Sequence, residues 1–408
     1  MESLVPERLV MHARQDVSKG AASPLMDLGQ LRSHIRTLIT LDETPAPFVS
    51  CYVDRVGGRN SLQPHPFDRR VQAIRKVLGR QELDDFDEAF GQLQHYLATD
   101  LRSTTRGVSL FVRAGTQPFF LGLQFQVPLP NRLSVSSTPD IFHLVELKDT
   151  YHRYMLLILT EESARILEVN LGAVTREAWT ERPELRKRVG TMSTREHYQN
   201  HRRDRGTRFL KEKIEILEKI VAKGGHTHLI LAGSPQVTGR IVACLPKTLQ
   251  AMLVDVVPAS ARAQVADVVA ATLSSFIERE QQESLDAVAE LQSALRRGGL
   301  GTAGSAPTFE ALRWGLADVL VIARAYESPP TVCCRQCGYV DTKESPPDRC
   351  PDCDSTELQS ANLRELMVKL AEWQSIEVEV VEHSDVLMDL GGVGCLLRYV
   401  TPEPSQST

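Results

Sequence analysis

Two pairs of cysteines carry the sharpest chemical signal in the chain. Cys334 with Cys337, and Cys350 with Cys353, form two C-x-x-C units separated by twelve residues, with glycine and proline beside them. A tight turn lets two thiolates spaced in this way grip one metal, and a second unit returning on a short hairpin completes a tetrahedral set of four sulfurs. That closed set belongs to structural rather than catalytic zinc. The spacing therefore predicts a zinc ribbon with a structural Zn²⁺. Cys333 adjoins Cys334 and offers an alternative ligand, but the C-x-x-C spacing favours Cys334, and Cys333 reads as a packed or free thiol. Arg335, Gln336 and Tyr339, beside the cysteines, are candidates to touch RNA or a protein partner.

The second signal is electrostatic. The net charge is −5, yet residues 182–213 hold 11 Lys or Arg against 4 Asp or Glu, a local excess of +7. Such an excess inside an acidic chain is the footprint of phosphate contact, while many charge runs only face solvent. Between Pro183 and Arg205 no hydrophobic period exists, so residues 183–205 read as a long exposed loop, and loops of that length in compact domains are functional or disordered. Its arginines and lysine (Arg186, Lys187, Arg188, Arg195, Arg202, Arg203, Arg205) are interleaved with His197, Tyr198, Gln199, Asn200 and His201. These types supply phosphate clamps, stacking faces and base-edge hydrogen bonds, the mixture suited to irregular RNA. His197 and His201 lack the glutamate of an H-E-x-x-H metal motif, and the chain has no GxxxxGK[ST] phosphate loop.

The elements that must position these residues read as an α/β protein. With 408 residues and 42% hydrophobic content, the chain has room for two to four domains. No run approaches the ~18 apolar residues of a membrane span, the start MESLVPERLVMHARQDVSKG lacks the apolar core of a secretory signal, and eight cysteines, four of them in the metal pattern, argue against a disulfide framework. The reading is a cytoplasmic protein with no membrane association.

The expected organisation is a flexible lead over 1–30, an N-terminal domain over 31–148, a central domain over 149–260, a C-terminal domain over 261–400 and a polar tail over 401–408. The fold class is α/β, three domains of mixed sheets with flanking helices, and a zinc ribbon at 333–354 inserted in the third. PFVSCYVD, GVSLFVRA and QPFFLGLQF read as strands, residues 66–98 as helical, and the prolines of VPLPNR as the end of the first sheet. YMLLILT and ARILEVNLG read as a strand, turn, strand unit. A helix follows from Thr207 to the Gly224-Gly225 stop, then the buried strand THLILAG, then another helix and strand. Residues 261–297 contain neither glycine nor proline and read as a long helix, and GGLGTAG reads as a turn. FEALRWGLADVLVIARAY, LRELMVKLAEWQ, IEVEVVEH and GGVGCLLRY read as the closing α/β unit.

In order and spacing, EALRWGLADVLVIAR, the four-cysteine ribbon and VEVVEHSDVLMDLGGVGCLLRY resemble the third domain of archaeal and eukaryotic class-1 release factors and of the rescue factor Pelota. The closing strand there follows a glycine-glycine-aliphatic-glycine pattern, matched by Gly391, Gly392, Val393 and Gly394. The likeness extends over about residues 150–400 and points to the bacterial branch, including the hibernation factors called Balon. It implies binding to ribosomal RNA in the ribosomal A site, and delivery by elongation factor Tu or another translational GTPase. Release factors carry a Gly-Gly-Gln tripeptide in the loop of the second domain and an Asn-Ile-Lys-Ser motif in the first. Neither is present, and only Gln199 has a place comparable to the catalytic glutamine. The resemblance therefore implies a non-hydrolytic A-site factor of hibernation or stalled-ribosome handling that inserts its basic loop toward the peptidyl transferase centre. Two alternatives stand beside it: a rescue enzyme hydrolysing peptidyl-tRNA through Gln199, and a zinc-ribbon protein binding RNA or protein away from the ribosome.

Overall fold

The computed structural model describes residues 26–55, 67–160, 163–181, 195–224, 226–260, 263–342 and 347–399, with backbone alone at 178–181, 195–208 and 224. Helix α1 (Leu28–Ile39) begins where Asp27 caps it. The Gln30 amide donates to Asp27 Oδ1 at 2.8 Å and the Asp27 amide donates to the Gln30 side chain at 3.2 Å, closing a capping box. The end of the lead expected over 1–30 is therefore helical at 28–30, and residues 1–25 lie outside the described residues. Strands β1 (Phe48–Asp54), β2 (Gly107–Arg113), β3 (Phe119–Phe125) and β4 (Arg132–Ser136) form an antiparallel sheet in the order β3-β2-β1-β4, with α2 (Asp68–Arg75) and α3 (Arg80–Thr99) in between. The prolines of VPLPNR do not end this sheet; the chain crosses them and returns as β4 along β1. Helix α4 (Phe142–Thr150) went unread because seven of its nine residues are buried, which leaves no polar stripe to set its period.

The central sheet has the order β7-β6-β5-β8-β9. Strands β5 (Tyr154–Leu159), β6 (Ser163–Asn170) and β7 (Ala173–Glu181) are antiparallel, whereas β8 (His228–Gly233) and β9 (Leu253–Pro258) join β5 in parallel. Strand β7 extends the sheet beyond the expected strand, turn, strand unit. Its turn is two residues long: Asn170 pairs with Ala173 while Leu171 and Gly172 take φ of 48° and 71°, the left-handed pair that suits strand twist. Helix α5 (Arg195–Gly224) follows, with α6 (Pro235–Val242), α7 (Lys247–Ala251) and α8 (Val265–Arg296) completing the layers. Phe209, Leu210, Ile214 and Leu217 of α5 cover one face of the sheet, and Val268, Val269 and Phe276 of α8 cover the other.

The 183–205 loop is corrected in its second half. Residues 195–205 are the first turns of α5, and 183–194 lie outside the described residues. The stretch 195–205 lacks an apolar stripe but also lacks glycine and proline. Once the packed residues from Phe209 onward pay the nucleation cost, each further residue adds a backbone hydrogen bond at little expense.

Strands β10 (Gly301–Ala303), β11 (Ala317–Ala323), β15 (Glu377–Val381) and β16 (Val393–Leu397) make a mixed sheet in the order β10-β16-β11-β15. The GGLGTAG stretch, expected as a turn, contributes β10. Strands β12 (Thr331–Cys334), β13 (Val340–Asp341) and β14 (Leu358–Ala361) form a separate antiparallel sheet between β11 and α10 (Leu363–Gln374); α9 (Ser305–Arg313) and α11 (Asp385–Asp389) complete this region. Gly394 sits where a Cβ would lie 2.7 Å from Thr302 O and from Leu291 Cδ2, so β16 admits only glycine there against β10 and α8. Gly391 and Gly392 adopt φ of 96° and 75° in the turn that enters the strand.

One apolar cluster unites both ends of the chain. Phe48, Tyr52 and Phe111 from the first sheet join α1, α4, α9, α10 and the β11-β15-β16 face, and Val288 and Leu291 of α8 close it. The boundary drawn at 148/149 falls within the last turn of α4, a helix that belongs to this shared core.

Candidate functional site

The four cysteines converge at the end of the β12-β13-β14 sheet. Their sulfurs lie within 4.8 Å of one another, with Cys334 to Cys353 at 3.6 Å and Cys337 to Cys350 at 3.4 Å. A tetrahedral zinc with bonds of about 2.3 Å holds its sulfurs about 3.8 Å apart, so the donor set fits the ion. The two knuckles repeat one backbone pattern. The Gly338 amide donates to Cys334 O at 3.0 Å and the Asp354 amide to Cys350 O at 2.9 Å. The Cys334 amide donates to Tyr339 O and the Cys350 amide to Ser355 O, both at 2.8 Å. Gly338 and Asp354 each take positive φ, 73° and 57°, to turn the chain under the sulfurs. Hydrogen bonding from the Cys337 backbone amide helps bring the Cys334 thiol down to about 7, while its neighbours raise Cys353 to about 12.

Cys333 stands apart from this group. It precedes Cys334 on β12, so the strand's period of two turns its side chain to the opposite face, and burial raises its thiol above the ordinary value. Arg335 donates through Nε to Gln359 at 2.6 Å, and the Tyr339 hydroxyl donates to Asp341 at 3.5 Å. The ribbon is tied to the body by Arg313 with Asp352 at 3.7 Å and by Gln359 donating to Glu43 at 3.4 Å.

Of the residues read as RNA contacts, Arg186, Lys187 and Arg188 lie outside the described residues. The backbone of Arg195, His197, Tyr198, Gln199, Asn200, His201, Arg202, Arg203 and Arg205 belongs to the first three turns of α5. The described apolar contacts of α5 begin at Phe209, and the fourteen residues before it span roughly 21 Å at 1.5 Å per residue.

Sequence reading missed the polar junction between the two outer sheets and α8. A cleft of about 440 Å³ opens there, lined by His143, Glu146, Asp149, Glu280, Arg324 and Glu382 among others. Glu146 pairs with His143 Nδ1 at 2.7 Å and accepts from Arg324 Nε at 2.6 Å. Asp149 accepts from the Val380 amide at 2.8 Å, and burial, reinforced by Glu379, holds its carboxyl well above the usual carboxylate range. On the far side of α4, Glu365 of α10 accepts from the Ile141 amide at 2.8 Å and the Phe142 amide at 3.3 Å, filling the open N-terminus of α4. No signal short of the fold could pair residues more than 200 positions apart.

Residues 139–276, from just before α4 into α8, match the profile of bacterial archaeo-eukaryotic release factor family 10. Over those residues, about a third of the chain, it is similar to the bacterial branch of the release factors. No curated protein matches it significantly. Among solved structures it is similar to the archaeal translation termination factor aRF1, at 15% identity over 92% of this chain and 99% of that one, with a TM-score of 0.24. It is also similar to Archaeoglobus fulgidus Pelota, at 14% identity over 92% and 93%, TM-score 0.36. A third is S. cerevisiae Dom34, a translation termination-like factor interacting with Hbs1, at 12% identity over 73% and 82%, TM-score 0.38. All three scores are low. Among the described residues no helix is long and apolar enough to cross a membrane.

Proposed function

We propose that this release-factor relative is a cytoplasmic, ribosome-binding factor that occupies the A site and handles idle or stalled ribosomes without hydrolysing peptidyl-tRNA. The observation that carries the reading is the segment between β7 and the packed part of α5. It lies inside the matched release-factor region, makes up most of the 182–213 stretch with its +7 charge excess, and carries no Gly-Gly-Gln. Gln199, the one glutamine in a comparable place, has its backbone within α5, where its amide and carbonyl serve the helix ladder. A tripeptide that must offer its backbone to the reaction needs the opposite, and this favours insertion without chemistry.

In this reading the organisation is three-domained: the first sheet as N-terminal domain, the central sheet as the release-factor domain, and the C-terminal sheet with a ribbon holding one structural Zn²⁺. Arg186, Lys187, Arg188 and the α5 residues from Arg195 to Arg205 contact ribosomal RNA, and the C-terminal domain meets a delivering GTPase, for which elongation factor Tu is the candidate. The test is chemical footprinting of ribosomal RNA in vacant bacterial ribosomes with and without the protein. The expected result is protection around the A site and the peptidyl transferase centre, weakened by Arg202→Glu with Arg203→Glu. Protection confined to other regions, or none, contradicts the proposal.

A further inference from the structure

A second cluster of metal-ligating side chains lies where α8 crosses the start of β8, on residues that the zinc ribbon does not involve. His228 Nε2 is 3.3 Å from Glu283 Oε1 and 3.7 Å from Glu280 Oε1, and the three ligand atoms lie within 4.8 Å of one another. Glu280 and Glu283 are three apart on α8, which places both carboxylates toward the same strand. For nitrogen and oxygen ligands at about 2.1 Å from a tetrahedral ion, neighbouring ligand atoms stand about 3.4 Å apart, close to the two distances measured to the imidazole.

The surroundings hold the ligands in place. His228 is 7% exposed and Glu280 8%, and Glu280 Oε1 finds no hydrogen-bond donor among the described residues. A carboxylate oxygen nine-tenths buried, without a donor and 3.7 Å from an imidazole nitrogen is a position that a cation would satisfy. The other oxygen of Glu280 is 3.2 Å from His152 Nδ1, and Thr227 Oγ1 lies 2.7 Å from His228 Nδ1. When the Thr227 hydroxyl accepts from Nδ1–H, Nε2 presents its lone pair to the ligand position. Partners of this kind fix the tautomer of a metal-binding histidine and the pose of its carboxylates. Phe276 packs edge-on against the His228 ring at 5.4 Å. The competing contact is Arg279, whose Nε donates to Glu283 Oε1 at 2.7 Å; half-exposed, it can swing into solvent.

We propose that His228, Glu280 and Glu283 bind a divalent first-row cation of the zinc type, with His152 and Thr227 as supporting partners and the fourth position left to water. One imidazole with two carboxylates suits such an ion. Bound there, it pins the middle of α8, which runs from the central sheet to the C-terminal sheet, against the first residue of β8.

The experiment is equilibrium dialysis of the full chain against micromolar Zn²⁺, with zinc per chain read by elemental analysis. Two ions are expected in the wild type. Glu283→Gln, and separately Glu280→Gln, is expected to keep the ribbon ion and to weaken the second by at least about tenfold, the effect of disturbing even a supporting partner. Arg279→Ala, which frees Glu283, is expected to tighten it, an outcome that a merely structural role for these residues would not give. Each variant's melting temperature without added zinc reports folding. One ion in the wild type, or two ions bound equally by both glutamine variants, overturns the proposal.

Discussion

Replacement of Glu365 separates a hydrogen-bonding role from a charge role at the joint between α10 and α4. Its carboxyl is fully buried, accepts from the Ile141 and Phe142 amides, and lies beside Asp140. Burial, with the Asp140 charge adding to it, raises Glu365 well above the usual carboxylate range. Asp140, although buried, is kept below that range by the neighbouring Glu365 and by Arg132, whose Nε donates to Asp140 Oδ2 at 3.2 Å. The site therefore favours the protonated form of Glu365 and the charged form of Asp140.

Glu365→Ala leaves two buried amides without acceptors, each costing ~1–3 kcal/mol, so the loss is about 4 kcal/mol. Glu365→Gln mimics the protonated acid. Its oxygen still accepts from Ile141 and its amide donates to Asp140, so only the longer Phe142 bond is lost, at about 1 kcal/mol. At roughly 2–4 °C per kcal/mol, thermal unfolding followed by tryptophan fluorescence should fall on the order of 10 °C for alanine and about 3 °C for glutamine. Trp314 at the end of α9 and Trp373 on α10 are exposed residues of helices that pack in this core. The sign with pH follows: a carboxyl raised in the folded state supplies stability below its unfolded value that is lost as pH rises toward the folded one. Glutamine should therefore gain on the wild type as pH increases. Equal losses for alanine and glutamine, or an alanine loss below about 1 kcal/mol, would refute the assignment.

Four further outcomes are expected. Asp149→Asn keeps the acceptor for the Val380 amide and removes a carboxyl that burial holds well above its usual range, so the wild-type decline in stability with rising pH should flatten in a pH series of melting temperatures. Gly394→Ala forces a Cβ against Thr302 O and Leu291, and should lower stability by a few kcal/mol in denaturant unfolding. Cys337→Ser should abolish one zinc equivalent and loosen amide-exchange protection in β12–β14 while leaving protection in the central sheet unchanged. Arg202→Glu with Arg203→Glu should weaken ribosome binding and make the logarithmic salt dependence shallower by about 1.5, as two phosphate contacts are removed.

What was legible in the sequence follows the periodicity of each element. The ribbon cysteines were readable because ligand spacing is local: the two turns that place them close within five residues each. α8, β8 and the α5 core were readable from apolar period and from the absence of breakers. α4 was not, because a helix buried on nearly every side shows no stripe, and β7 was not: the unit read from ARILEVNLG stops at Gly172, inside the two-residue turn that leads into it. The first turns of α5 were read as loop since they lack apolar residues, although a helix already nucleated needs none. The joint around Glu365 and the cluster of His228 with Glu280 and Glu283 depend on contacts across tens to hundreds of residues, and no local pattern encodes such pairing.

The most direct test of the functional reading sediments the purified protein with vacant bacterial ribosomes at near-physiological salt, in parallel with a peptidyl-tRNA release assay on stalled complexes. The expected result is co-sedimentation with no release above background, unchanged in Gln199→Ala. Failure to pellet with ribosomes contradicts the A-site reading, and release that Gln199→Ala abolishes makes the protein a rescue hydrolase instead.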